Sequence, residues 1–205
     1  MTADLTPATS RSVLAALLLL AASAPLQAHE LAAGSAGGFL AGLSHPVLGP
    51  DHLLAMVAVG LWGAVLGRPL VFALPVVFPG LMLLGAALGM AGVPLPQVER
   101  GIALSVLALG LAIAAAWRAP MAAALALVAI FGVFHGHAHG MELPGSADPV
   151  AYACGFLLAT GGLHLAGILV GSLWHRRSGA WLVRGAGAAI GVAGAAFLLL
   201  PVLAA

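Results

Sequence analysis

Two short runs of this chain place imidazoles and carboxylates where the surroundings are apolar. The first is His45-Pro46-Val47-Leu48-Gly49-Pro50-Asp51-His52, inside a stretch that is otherwise apolar from Phe39 to Leu66. The second is Phe134-His135-Gly136-His137-Ala138-His139-Gly140-Met141-Glu142, at the end of an apolar run that begins at Met121. At roughly 100° per residue, His135, His139 and Glu142 fall at about 0°, 40° and −20° on a helix, a single stripe at i, i+4 and i+7. Two imidazoles one turn apart with a carboxylate one turn further on can grip a divalent cation. His137 points roughly opposite, as an outer relay ligand, toward a neighbouring helix, or to solvent. Gly136 and Gly140 keep an adjoining face thin enough for another helix to approach.

In the first run, Pro46, Gly49 and Pro50 do not sit together in one regular helix. The segment therefore reads as a short half-helix, a non-helical stretch, and a longer helix from about Asp51. Asp51 suits that helix start because the dipole favours a carboxylate there. A blander alternative has Asp51 only capping the helix while His45 and His52 bond carbonyls freed by the break; capping explains one polar residue and not three. An ionised carboxylate inside a membrane costs roughly 2.5–3.5 kcal/mol on insertion scales, so it needs a reason to be there. His164, within Thr160-Gly161-Gly162-Leu163-His164, is a further functional candidate by its depth, with a hydrogen bond to a neighbouring helix as its alternative. Glu99 opens a later segment on the same side and would gather cations. Met56, one turn after His52, and Cys154 read as packing residues before ligands.

These groups must be positioned by membrane helices. The chain has 205 residues, 62% of them hydrophobic, with seven arginines, no lysine and six acidic residues. Its mean hydropathy is +1.14, and charged residues are 6% where soluble domains carry about a quarter. The class is an integral membrane protein. A net charge of +1 without a basic cluster argues against nucleic-acid binding, and the single cysteine excludes an internal disulfide. Arg11, the apolar run Val13 to Ala24, and Pro25-Leu26-Gln27-Ala28 have the layout of a secretory signal peptide cleaved after Ala28. An uncleaved first helix is the alternative, though it would be short against the ~20 residues a crossing requires. Cleavage would leave residues 29–205 as one transmembrane domain starting His29-Glu30, where the free α-amine and the His29 imidazole form a potential chelator.

The apolar runs at 36–66, 70–92, 98–117, 119–139, 149–173 and 181–202 predict an all-α six-helix transmembrane bundle with a broken first helix. Short turns such as Gly67-Arg68-Pro69, Pro94-Leu95-Pro96 and Pro144-Gly145 connect them. With the mature amino terminus outside, Arg68, Arg118, Arg176, Arg177 and Arg184 fall on the inner side and only Arg100 on the outer, as the positive-inside rule requires. Both polar runs then line one outward-facing vestibule of a bacterial inner-membrane protein.

At this point the residues carry a resemblance. His45-Pro46-x4-Asp51-His52 followed by Leu54-Ala55-Met56 and Val59-Gly60-x-Trp62 resembles the first-segment signature of the HupE/UreJ family of nickel permeases. Phe134-His135-Gly136-x-Ala138-His139-Gly140-x-Glu142 is similar to that family's fourth-segment signature. Glu99 with Ile102-Ala103-x-Ser105-Val106, and Ala159-Thr160-x2-Leu163-His164-x2-Gly167, also resemble its pattern. His137 stands at the variable position of the fourth-segment signature. The resemblance implies uptake of Ni²⁺ for nickel enzymes such as hydrogenase or urease.

Ligand chemistry supplies the expected mechanism. A divalent aquo-ion enters hydrocarbon only where ligands and charges replace its water. His45, Asp51, His52, His135, His139 and Glu142 would form a dehydrating entry site for Ni²⁺ or Co²⁺, the transported substrate and not a permanently bound cofactor, with His164 as a deeper station. Passage needs binding weak enough to release, and protonation of imidazoles below roughly pH 6 should compete with the metal. Two other classes stay open: an intramembrane zinc-dependent hydrolase, with Asp51 or Glu142 activating water, and an outward-facing metal sensor or accessory protein. The preferred reading is not an enzyme. Its partners are a divalent ion, the lipid bilayer and, functionally, the maturation of a nickel enzyme; a homo-oligomer is left open.

Overall fold

The structure, a computed structural model, describes residues 34–143, 148–176 and 178–203. The expected signal peptide at 1–28, the His29 chelator and the Pro144-Gly145 turn lie outside the described residues. The described chain folds into α1 (Gly34–Leu48), α2 (Pro50–Leu66), α3 (Leu70–Met90), α4 (Val98–Ala114), α5 (Met121–Glu142), α6 (Pro149–Gly171), a short 3₁₀ turn (Ser172–His175) and α7 (Gly179–Leu203). No strand occurs among the described residues. Apolar runs of this length satisfy their backbone internally, and helices do this without help from a neighbouring segment. Large apolar side chains such as Phe72, Val76, Leu158 and Leu182 stand exposed around the bundle, as on helices whose outer surface meets lipid.

Helices α3, α5, α6 with the 3₁₀ turn, and α7 are each long and apolar enough to cross a membrane, and the bent pair α1–α2 makes a fifth candidate. At 17 residues, α4 is shorter than these spans. Helix α5 runs on through Glu142, so the whole second polar run is helical.

The break in the first segment is narrower than the sequence suggests. Pro46 sits inside α1, and Gly49 alone leaves helical geometry, at φ −84° and ψ 106°. The chain turns by 79° there. Pro46 forgoes only one intrahelical bond, and Pro50 sits at the helix start, where its missing N–H costs nothing. The corner keeps its remaining bonds: the Gly49 N–H donates to the His45 carbonyl at 3.1 Å, and the Leu53 N–H to the Gly49 carbonyl at 2.8 Å.

Glycines weld the helices into three groups. Helix α3 packs chiefly on α5, α4 on α7, and α6 on both α1 and α2. In the first group Gly136 lies against the Met82 carbonyl, Gly140 against that of Ala86, and Gly85 against that of Val133, so closely that a Cβ would overlap each oxygen. Gly42 meets the Tyr152 carbonyl, Gly60 the His164 carbonyl and Gly167 the Val57 carbonyl in the same way, joining α1 and α2 to α6. Backbones approach this closely only where side chains are absent. Cys154 is exposed on α6. Away from the polar runs, Trp62 stacks on Trp117 and donates its indole N–H to the Trp117 carbonyl at 3.2 Å. Arg184 Nε donates to the Ala114 carbonyl at 2.8 Å, one of the carbonyls a helix end leaves without a partner.

Candidate metal site

The corner at Gly49 puts His45 on the last turn of α1 and His52 on the first turn of α2, facing the last two turns of α5. Asp51 Oδ1 accepts from the backbone N–H of His52 at 2.8 Å and lies 2.8 Å from His52 Nδ1. A carboxylate only accepts, so Nδ1 carries the proton and Nε2 keeps the lone pair. His52 Nε2 is buried and makes no hydrogen bond among the described residues. A Cβ on Gly49 would stand 3.3 Å from both Asp51 Oδ1 and His52 Nδ1, so a glycine at the corner leaves this pair its room.

Three imidazoles converge. His45, His52 and His139 each offer a ring nitrogen, and these nitrogens all lie within 4.8 Å of one another. The His139 ring centroid is 4.7 Å from that of His45 and 4.6 Å from that of His52. Phe156 closes the α6 side at 4.3 Å from His139, and Tyr152 stands 6.2 Å from His45. Glu142, half exposed at the mouth, brings Oε2 to 3.6 Å from His45 Nε2. His135 lies one turn deeper on α5, 4.9 Å from His52. Both nitrogens of His139 and Nδ1 of His135 are buried without a hydrogen bond among the described residues. Each such buried group costs about 1–3 kcal/mol, and a cation held between them would remove that cost. Neutral imidazole lone pairs with a carboxylate at the rim suit Ni²⁺, Co²⁺, Cu²⁺ or Zn²⁺ better than a hard ion.

The stripe that carries this geometry, His45 to His52 against His135 to Glu142, falls within residues 16–197, which match the family model described as HupE / UreJ protein. The chain belongs to the HupE/UreJ family. It is also similar to Protein HupE of Rhizobium leguminosarum bv. viciae, with 45% identity over 181 residues covering 88% of this chain and 95% of that one. No solved structure matches it.

Within this HupE/UreJ chain the remaining candidates stand apart from the cluster. His137 is buried on another face of α5, and its Nε2 donates to the Val93 carbonyl at 2.7 Å, tying α5 to the α3–α4 connection. Glu99 is exposed in the first turn of α4. His164 is buried in α6 with neither ring nitrogen hydrogen-bonded among the described residues. On α3, Pro79 has no N–H to give the Pro75 carbonyl one turn back. Met56 is fully buried, and its Sδ accepts from Thr160 Oγ1 at 3.4 Å.

Further residues frame the cluster, Ser105 of the family-like pattern among them, and the sequence assigns none of them a role. Phe78 lies 5.4 Å from His135 and 5.7 Å from His164, between the cluster and the deeper imidazole, and nothing in an apolar run flags it. Tyr152 and Phe156 line, with Met82, Leu83 and Ala153, an apolar cleft of about 100 Å³ that reaches His139. Ser105, fully buried on α4, sits 2.8 Å from His135 Nε2. It is the one hydroxyl between Ile102 and Ala114, which was the available signal.

Proposed function

We propose that this protein carries divalent transition-metal ions, Ni²⁺ first and Co²⁺ as its nearest competitor, inward across the bacterial inner membrane to supply a nickel enzyme such as hydrogenase or urease. The observation that carries this reading is the meeting of three imidazole nitrogens from α1, α2 and α5 within 4.8 Å, at the end of the bundle where Glu142 is exposed. The family is associated with nickel and cobalt uptake, which agrees with that donor set. The topology belonging to the reading has a signal peptide removed after Ala28, the new amino terminus outside, and six crossings, with α1 and α2 together as the first and α4 among the rest.

In this mechanism Glu99 and Glu142 draw the hydrated cation to the outer mouth. His45, His52 and His139 replace its water, with Asp51 holding His52 so that Nε2 faces the ion. His135 receives the ion next, and His164 is the station beyond Phe78. The donor set is imidazole and carboxylate without thiolate, which fits an ion that must be released onward. A zinc hydrolase would use Asp51 or Glu142 to take a proton from bound water; what favours transport over it is the further buried imidazole of His164, deeper than a single catalytic cluster needs.

The test is metal accumulation in cells expressing wild type, His52→Ala or His139→Ala, with nickel, cobalt and zinc offered side by side. Wild type should accumulate nickel and both variants should not. Equal accumulation in all three, with equal protein in the membrane, would end the transport reading.

A further inference from the structure

Ser105 has one proton to give and two close neighbours. Its Oγ is 2.6 Å from the Ile102 carbonyl, one turn back on α4, and 2.8 Å from His135 Nε2. A carbonyl oxygen only accepts, and two oxygens at 2.6 Å without a proton between them repel, so the hydroxyl proton goes to Ile102. The contact to His135 must then be an N–H donated by the ring. We infer that Ser105 is a positioning residue which holds His135 in its Nε2–H tautomer, leaving Nδ1 as the basic nitrogen and so making His135 a ligand one rung inward of His45, His52 and His139.

The same logic operates twice in this site. Asp51 accepts a hydrogen bond from the Nδ1–H of His52 and leaves Nε2 bare; Ser105 accepts one from the Nε2–H of His135 and leaves Nδ1 bare. The two rings are 4.9 Å apart with planes at 83°, and the two nitrogens left basic are both buried without a hydrogen bond among the described residues. Metal-ligating histidines commonly give their other N–H to such an outer partner, which fixes the tautomer and raises the basicity of the ligating nitrogen. The ligand half of the inference rests on the transport reading; the tautomer half does not.

Two measurements separate them. Imidazole nitrogen NMR of the full chain in lipid nanodiscs, with His135 assigned by the signal lost in His135→Ala, should show a protonated Nε2 and a bare Nδ1 in wild type. Ser105→Ala should give a tautomer mixture and Ser105→Thr should restore the wild-type signature. A protonated Nδ1 in wild type, or an unchanged His135 signal in Ser105→Ala, would overturn the lock. In cells at limiting nickel, Ser105→Ala should lower accumulation on the order of 10-fold, the low end for removing an outer partner of a metal ligand, and should cause no further loss in a His135→Ala background. The same loss in that background would mark Ser105 as merely structural and overturn the proposal. Normal accumulation in Ser105→Ala while His139→Ala abolishes uptake would overturn the ligand role with transport intact; normal accumulation in His139→Ala as well would sink the transport reading instead.

Discussion

Replacing Asp51 by Asn removes a charge and almost nothing else, so it isolates what the carboxylate does for His52. Oδ1 accepts two bonds in the structure, from the His52 backbone N–H and from Nδ1, both at 2.8 Å. A hydrogen bond to a charged group contributes about 1.5–3 kcal/mol and a neutral one about 0.5–1.5 kcal/mol. If the Asn oxygen replaces the carboxylate oxygen, the hold on the ring weakens by about 1.4 kcal/mol, roughly a factor of 10 in the population of the binding geometry. If the Asn amide turns its NH₂ to the ring instead, Nδ1 must accept, the proton moves to Nε2, and the ligating lone pair is lost; outer-partner changes of this kind reach about 100-fold in metal affinity. The half-saturating nickel concentration for uptake should therefore rise about 10- to 100-fold, with the maximal rate recovered at high nickel. Radiolabelled nickel uptake across a concentration series, with membrane protein equalised by immunoblot, measures this. A curve that overlays wild type would refute the orienting role. A loss that no nickel concentration restores would make Asp51 a direct ligand and refute it from the other side.

Other perturbations discriminate between roles. His137→Gln should leave the half-saturating nickel concentration unchanged while lowering thermal stability by about 0.5–1.5 kcal/mol, the net value of a hydrogen bond such as the one to Val93; a shifted uptake curve would contradict its placement outside the cluster. Gly136→Ala forces a Cβ into the Met82 carbonyl and should destabilise the protein by about 3 kcal/mol, the upper end for overpacking, read as a lower melting temperature in detergent. Gly49→Ala pushes on Asp51 Oδ1 and His52 Nδ1 at 3.3 Å; it should weaken nickel uptake while keeping folded protein in the membrane. Uptake should also fall below roughly pH 6, where protons compete for imidazole nitrogen, and an unchanged rate there would count against an imidazole entry site.

The helices were readable because apolar runs and their Gly/Pro punctuation mark element ends directly, and α3, α4 and α6 begin within a residue of the expected starts. The stripe of His135, His139 and Glu142 was readable because three residues share one helical face. How tightly the first segment turns was not readable: proline rules alone cannot say that Pro46 is absorbed in α1 and that Gly49 bears the whole 79° corner. Asp51 stood out because a carboxylate beside histidines in an apolar run needs a reason to be there; that its Oδ1 also engages the His52 ring and backbone N–H depends on side-chain geometry at the corner. What Ser105 and Phe78 face was hidden for a related reason. Each acts on an imidazole from another helix, and helical periodicity reports which face a residue occupies without naming what stands opposite.

The glycine welds divide the donors between two bodies. His45 and His52 ride on the block made of α1, α2 and α6, whereas His135 and His139 ride on the block made of α3 and α5. Within each block carbonyl meets glycine Cα with no room for a side chain between them. Between the blocks, at this level, ring edges meet ring faces beside an apolar cleft. A cation bound by His45, His52 and His139 would be bonded to both bodies, so any change in the distance between them would change its coordination.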